Sequence, residues 1–255
     1  MTLETGTLAY VNFTAKVKDT GDVIDVTEEE ESKKLGVHDP AKKYEPRLIA
    51  IGEGWILKGL EEALTSAKIG EKITVELPPE KGFGARDPNK VKMIPIRKFG
   101  EKASEISIGD EVTIDNKIGL IRFIGSGRAQ VDFNHRLSGK TLIYNIGISR
   151  ILETEEEKTI GLLKRRLPVD EKSLQIEFEK DVIKIQLSEN IFLVEGLQII
   201  KKAISNDLFK FLNNIVKVYF LELYESKRPK QIKTEVQAPV EEKSEEKKEE
   251  EKTQQ

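Results

Sequence analysis

Covalent chemistry has little to work with in this chain. It contains no cysteine, which removes thiolate nucleophiles, thiolate metal sites and disulfides and fits a reducing compartment. Its two histidines stand apart. His38 sits in a charged loop beside Asp39-Pro40 and His135 follows Asn134 in a turn-like stretch, so both read as surface or turn residues rather than metal ligands. Three Gly-x-Gly pieces, Gly52-Glu53-Gly54, Gly82-Phe83-Gly84 and Gly125-Ser126-Gly127, lack the later glycine or lysine of a phosphate loop and read as turns. Asp25, which closes the apolar step Val23-Ile24, is either a turn or cap residue or the polar member of a site. No cofactor or metal is implied.

Charge narrows the field further. Charged residues are 34% of the chain, yet 42 Lys+Arg against 45 Asp+Glu leave a net charge of only -3, so the balance points to neither nucleic acid nor an anionic membrane. The start, Met1 to Tyr10, carries Glu4 and no long apolar run, and reads as neither a signal peptide nor a membrane anchor. The expectation is a cytoplasmic protein.

The elements that must position any site follow from periodicity. Ala9, Val11, Phe13, Ala15 and Val17 alternate with polar residues, the pattern of a half-buried strand. Thr27 to Lys43 reads as a solvated helix and loop. A short strand from Leu48 to Ile51 leads into a helix with Ile56, Leu60, Ala63, Leu64 and Ala67 on one face, ended by Gly70. Ile73, Val75 and Leu77 form another strand, stopped by Pro78-Pro79. Short strand-like pieces fill the stretch from Arg86 to Phe133, with Ser126-Gly127 as a hairpin turn and Ile94, Ile96, Phe99, Val112, Leu120 and Phe123 as its small core. Leu142 to Ile148 alternates as a strand returning to the first sheet. Thr154 opens a helix with capping-box spacing, closed by Pro168. Two strands around Lys180-Asp181, a long helix from Leu197 to Phe211, and an apolar run from Ile215 to Leu223 read as a compact α+β unit, the last run as a strand buried on both faces. Beyond Ser226 the chain is too polar to offset its entropy and reads as a disordered charged tail.

Phe13-Thr14-Ala15-Lys16-Val17, Gly21 with Val23-Ile24-Asp25, the run Gly52 to Ala63, and Pro79-Glu80-Lys81-Gly82-Phe83-Gly84 together resemble the FKBP-type peptidyl-prolyl cis/trans isomerases. Val131-Asp132-Phe133-Asn134-His135 with Leu137-Ser138-Gly139-Lys140 resembles the return point of the SlyD-like subgroup, in which a chaperone domain interrupts the isomerase fold. The matches keep a consistent order over roughly the first three-fifths of the chain, and Thr154 to Glu225 resembles the extra domain of long archaeal members. The implied fold is α+β: an antiparallel half-barrel sheet wrapped on one helix (1–85 and 134–153), a small β-rich insert (86–133), an α+β C-terminal domain (154–226) and the tail (227–255).

The resemblance implies a pocket lined by Phe13, Ile24, Ile56, Leu57, Leu60, Phe83 and Tyr144, with Leu60 as its floor and Asp25 facing the amide. Ile96 and Phe99 would add client binding from the insert, where a unit this small leaves apolar side chains exposed. Taken singly, Phe13, Ile56, Leu60 and Tyr144 have the spacing of ordinary core residues; only their joint register gives a site. Two departures stand out, since Phe13 and Phe83 occupy positions where many members carry Tyr. The implied activity is X-Pro isomerisation in unfolded or proline-containing polypeptides. The alternative is a holdase or scaffold that keeps the fold with weak or no catalysis. For the C-terminal domain the alternatives are a homodimer interface and a second client-binding surface. Its run from Val216 to Leu223 is either an edge strand or the centre of its sheet.

Overall fold

The computed structural model describes residues 3–224, the side chains at 101 and 102 excepted. The expected tail at 227–255 lies outside the described residues. Along the chain, strand β1 (Leu8–Val17) and strand β2 (Val23–Val26) form an antiparallel pair around a turn. A short helix α1 (Glu29–Lys34) carries acids in its first turn and lysines in its last, matching the helix dipole. Strand β3 (Arg47–Ala50) returns to pair with β1, helix α2 (Lys58–Leu64) follows, and strand β4 (Lys72–Leu77) ends at the paired prolines.

Strands β5 (Val91–Pro95), β6 (Glu111–Ile114), β7 (Lys117–Gly125) and β8 (Arg128–Asp132) build a separate four-stranded sheet in the order β5-β8-β7-β6. The β7–β8 turn has Ser126 at φ 51° and Gly127 at φ 71°, the two left-handed positions that a tight hairpin requires. Its core is Ile94, Ile121, Ala129 and Val131, with Phe99 and Val112 packed against it. Phe123, expected inside, is 53% exposed. A register shift beside it between Ile121 and Phe123 breaks the alternation that placed it inward.

Strand β9 (Leu142–Ile151) then enters the first sheet between β1 and β4, giving the order β2-β1-β9-β4 with β3 also on β1. Helix α3 (Glu155–Arg166) starts with a complete capping box between Thr154 and Glu157. Strands β10 (Gln175–Glu179) and β11 (Val182–Leu187), helix α4 (Leu197–Phe211) and strand β12 (Lys217–Glu222) complete a third sheet, with β12 parallel to β11 across the α4 crossover. The overall class is α+β.

Three further expectations need correction. Helix α2 is shorter than its apolar face implied: Ile56 precedes it in a bend, Leu57 follows at φ -59° and ψ 136°, and Gly70 lies beyond its end. Strand β12 is an edge with Tyr219 and Leu221 exposed, not a strand buried on both faces. A run of apolar residues shows affinity for a sheet but not how many neighbours the sheet supplies. The first strand, finally, is covered on both sides rather than half-buried. Val11, Phe13, Ala15 and Val17 enter one core, while Leu8, with Leu48, Ala50 and Leu152, enters a second core shared with α3, β11 and α4.

Gly161 marks that contact. A Cβ there would lie 2.9 Å from Leu152, 3.3 Å from Leu48 and 3.4 Å from the Tyr10 hydroxyl, so the glycine lets α3 approach the sheet despite a helix-propensity cost of about 1 kcal/mol. Each fully buried leucine in the seam contributes about 1.5–3 kcal/mol. Leu8, Leu48 and Leu152 together thus rival the roughly 5–15 kcal/mol net stability of a typical domain. Leu152→Ala is expected to lower unfolding free energy in urea by about 2–5 kcal/mol. A change below about 0.5 kcal/mol would mean that α3 does not pack on the sheet.

Candidate active site

Cross-strand register sets the polar end of the site. Ala15 of β1 lies opposite Asp25 of β2 on one side and Tyr144 of β9 on the other, and residues directly opposite in a sheet point to one face. Ala15 is fully buried in the first core, so the row lies on the core face. Asp25 and Tyr144 therefore flank a side chain that is a single methyl group, and the acid stands beside apolar surface.

That surface gathers the expected residues. Phe13, Leu60 and Tyr144 belong to the buried cluster, and Ile24, Ile56, Leu57 and Phe83 pack against it. The Phe13 and Tyr144 rings are 5.8 Å apart and tilted by 48°. Thr27 fixes Phe13 from behind: its hydroxyl accepts from the Phe13 N–H at 2.9 Å, and its own N–H donates to the Phe13 carbonyl at 3.0 Å. Ile96 and Phe99 are elsewhere. Both lie in the insert, and Phe99 is turned into the insert's own core.

Phe83 is held by the returning chain. Ser138 Oγ donates to the Phe83 carbonyl at 3.1 Å and the Gly139 N–H to the Gly84 carbonyl at 2.9 Å. The His135 ring stacks on Phe83 at 4.5 Å with 6° between planes, and its Nδ1 accepts from the Leu137 N–H at 3.2 Å, which leaves the proton of the neutral ring on Nε2. The Asp132–Asn134 joint sits just before. Asp132 is 3% exposed, takes Arg86 at 2.6 Å, and accepts from Asn134 Nδ2, which also reaches the Asp87 carbonyl. Burial raises the Asp132 carboxyl, but the Asn134 hydrogen bonds and the Arg86 charge outweigh it and hold it below the ordinary range.

The electrostatics of Asp25 come from residues that sequence reasoning missed. Its two oxygens meet Lys42 Nζ at 2.7 Å and Arg47 Nη2 at 2.9 Å, and the Val26 N–H donates to it at 2.8 Å. The Arg47 guanidinium also lies 4.9 Å from the Phe13 ring centroid. Partial burial pushes the Asp25 carboxyl up, but the Lys42 and Arg47 interactions and the Val26 N–H prevail, and its pKa lies below the ordinary 3.8. Tyr144 moves the other way, raised by burial first and by the Asp25 charge second. No local pattern in the sequence marks Lys42 or Arg47 as partners, since both are lysines and arginines among many.

A family model described as FKBP-type peptidyl-prolyl cis-trans isomerase matches residues 1–146, more than half of the chain. The chain belongs to that family. A second model, described as FKBP26_C-terminal, matches residues 155–225. Among curated relatives of this FKBP-type protein, the short-type peptidyl-prolyl cis-trans isomerase of Methanocaldococcus jannaschii is 32% identical over 148 residues, 58% of this chain and 94% of that protein. The FKBP-type 16 kDa peptidyl-prolyl cis-trans isomerase of Escherichia coli K12 is 32% identical over 111 residues, 42% of this chain and 74% of that one. The SlyD isomerase of Haemophilus influenzae is 30% identical over 124 residues, 47% and 65% respectively. No helix among the described residues is long and apolar enough to cross a membrane.

Because the folded Asp25 pKa is depressed, its ion pairs stabilise the fold above the ordinary carboxylate pKa, and that contribution is lost as pH falls through the lower folded value. The Asp25 carboxyl carbon is expected to titrate, by NMR, below 3.8. Arg47→Met should move that midpoint upward. An unchanged midpoint in the variant would remove Arg47 from the account.

Proposed function

We propose that this FKBP-type isomerase turns over X-Pro bonds in the apolar pocket beside Asp25, and that the insert captures non-native clients for it. The observation that carries the first part is the convergence of Phe13, Ile24, Ile56, Leu57, Leu60, Phe83 and Tyr144 in one cluster next to the Asp25–Ala15–Tyr144 row. An X-Pro amide isomerises slowly because its resonance must be broken at a barrier of about 18–20 kcal/mol. The planar amide carries separated charge that water stabilises, whereas the twisted form loses that charge separation. A pocket whose Leu60, Phe13 and Tyr144 are only 3%, 6% and 8% exposed therefore favours the twisted form relative to the planar one.

The polar parts are few. The Ile56 N–H has no acceptor among the described residues and is the donor we assign to the substrate carbonyl. Asp25 supplies a local field at the amide, tempered by Lys42 and Arg47, which keep it ionised. Phe83 offers no hydroxyl, and a missing neutral hydrogen bond of about 0.5–1.5 kcal/mol corresponds to roughly two- to twelvefold in rate.

The domain division proposed from the sequence, 1–85 with 134–153, then 86–133 and 154–226, is supported by three sheets with separate strand orders, although the second core joins the first sheet to the C-terminal unit. Capture by the insert is supported by Met93, Ile108, Ile118 and Phe123, which are 46–68% exposed. A homodimer through the C-terminal unit is supported by the exposed β12 edge with Tyr219 and Leu221; light scattering of the full chain measures it.

Two sets of variants test these assignments. In a prolyl-peptide exchange assay, Phe83→Tyr is expected to raise turnover by roughly two- to twelvefold, and Asp25→Ala to lower it. A wild-type rate equal to buffer, unaffected by either change, would leave a holdase only. Ile118→Glu with Phe123→Lys should spare short-peptide turnover yet slow the catalysed refolding of a proline-limited protein severalfold, because the insert no longer raises client concentration at the pocket. Equal refolding rates would sink the capture role.

A further inference from the structure

A cleft of 840 Å3 opens beside the apolar pocket, between the chain around β2 and β3 on one side and β9 with α3 on the other. Its described lining holds seven lysines and arginines against three carboxylates, Asp25, Glu45 and Glu171. Two of those cations, Lys164 and Arg165, are poorly matched. Lys164, whose side chain is 24% exposed, has its carboxylates at 3.7 Å (Glu45) and 4.0 Å (Glu171). The Arg165 guanidinium lies 3.6 Å over the Trp55 ring, and its carboxylate, Asp207 at 3.9 Å, is engaged by Arg166 at 2.7 Å. Burial, with Arg166 second, pushes the Arg165 pKa down. Crowded cations short of carboxylates leave a positive field that an arriving anion would relieve.

The cleft borders the apolar cluster at two places. Asp25 and Arg47 line the cleft, and Arg47 also covers the Phe13 ring. Trp55 lines it as well and directly precedes Ile56-Leu57 of the pocket. A polypeptide with its proline in the pocket thus brings its neighbouring residues to the cleft mouth at high effective concentration.

We propose that the cleft receives the acidic flank of the substrate, so that the enzyme prefers X-Pro bonds with Asp or Glu a few residues away. The proposal rests on the prolyl reading of the pocket and adds a substrate class to it. A polypeptide suits the cleft better than a nucleic acid. Three carboxylates interrupt the positive lining, which spaced acidic side chains can thread between but a continuous phosphate backbone meets head-on. The arrangement also gives α3 a role in substrate choice, since Lys164, Arg165 and Arg166 all come from its last turn.

Trp55 is the only tryptophan of the chain, so its emission reports on the cleft without reference to catalysis. Titration of the full-length protein with a proline-free, Glu-rich peptide is expected to change Trp55 emission at low salt. The response should fade as the Debye length shrinks from about 10 Å at 0.1 M salt to about 3 Å at 1 M. In parallel, two peptides sharing one Ala-Pro centre, flanked by Glu or by Gln, are compared in the exchange assay. The Glu peptide should show a kcat/KM about tenfold higher, as two or three surface ion pairs allow, and both Lys164→Glu and Arg150→Gln should drive the ratio toward one. No emission change together with equal turnover of the two peptides overturns the proposal while leaving the isomerase intact. An emission change with neither peptide turned over sinks the prolyl reading, and with it the substrate class. Tighter binding of a duplex oligonucleotide than of the Glu-rich peptide overturns the proposal in favour of nucleic acid.

Discussion

Everything in this molecule hangs on a strand that must satisfy two cores at once. One face of β1 presents Val11, Phe13, Ala15 and Val17 to the pocket side, and Leu8 on the other packs under α3 and the C-terminal sheet. Since side chains alternate with period two, a one-residue slip against β9 would exchange the two sets and empty both cores. The pairing of Ala15 with Tyr144 and Asp25 is thereby locked from both sides, and the polar row keeps its place without a covalent or metal restraint. The candidate site and the C-terminal sheet are in this sense one packing problem.

The parts of the fold written in short-range pattern were legible in the sequence. The alternation of β1, the Ser126-Gly127 turn, the capping box of Thr154 and Glu157, and the face of α4 all rest on residues within a few positions of each other, where backbone geometry dictates spacing. What failed depends on distant neighbours. Whether Ile215 to Leu223 would be a central or an edge strand is decided by what lies beside it, which no local run records. Helix α2 looked longer because Ile56 and Ala67 share its apolar face by spacing, yet both lie outside Lys58–Leu64 while Ile56 still packs against the first core. The first strand looked half-buried because Asn12, Thr14, Lys16 and Lys18 are polar. Its second cover comes from α3, far along the chain.

The site divides in the same way. The apolar residues followed from a family resemblance that is itself a record of spacing, and seven of them converge. Their electrostatic setting did not follow. Asp25 is met by Lys42 and Arg47, which are 17 and 22 residues away, and the stack of Arg165 on Trp55 joins segments more distant still. In a chain with 42 lysines and arginines, nothing local distinguishes the few that close on a carboxylate or an aromatic face. His135 likewise read as a turn residue, and its ring proves to cover Phe83.

The order of strands has a consequence for how the chain is made. The central partner of β1 is β9, at the far side of the insert, so during N-terminal-first synthesis the opening strand waits for residue 151 before its sheet can close. Its back face waits longer, because β11 is completed only by β12, added in parallel after α4. Loop closures of this length slow folding, whereas the insert, whose four strands pair within residues 91–132, can mature on its own schedule. A nascent copy would thus display a finished four-stranded sheet before the sheet that carries β1 is assembled.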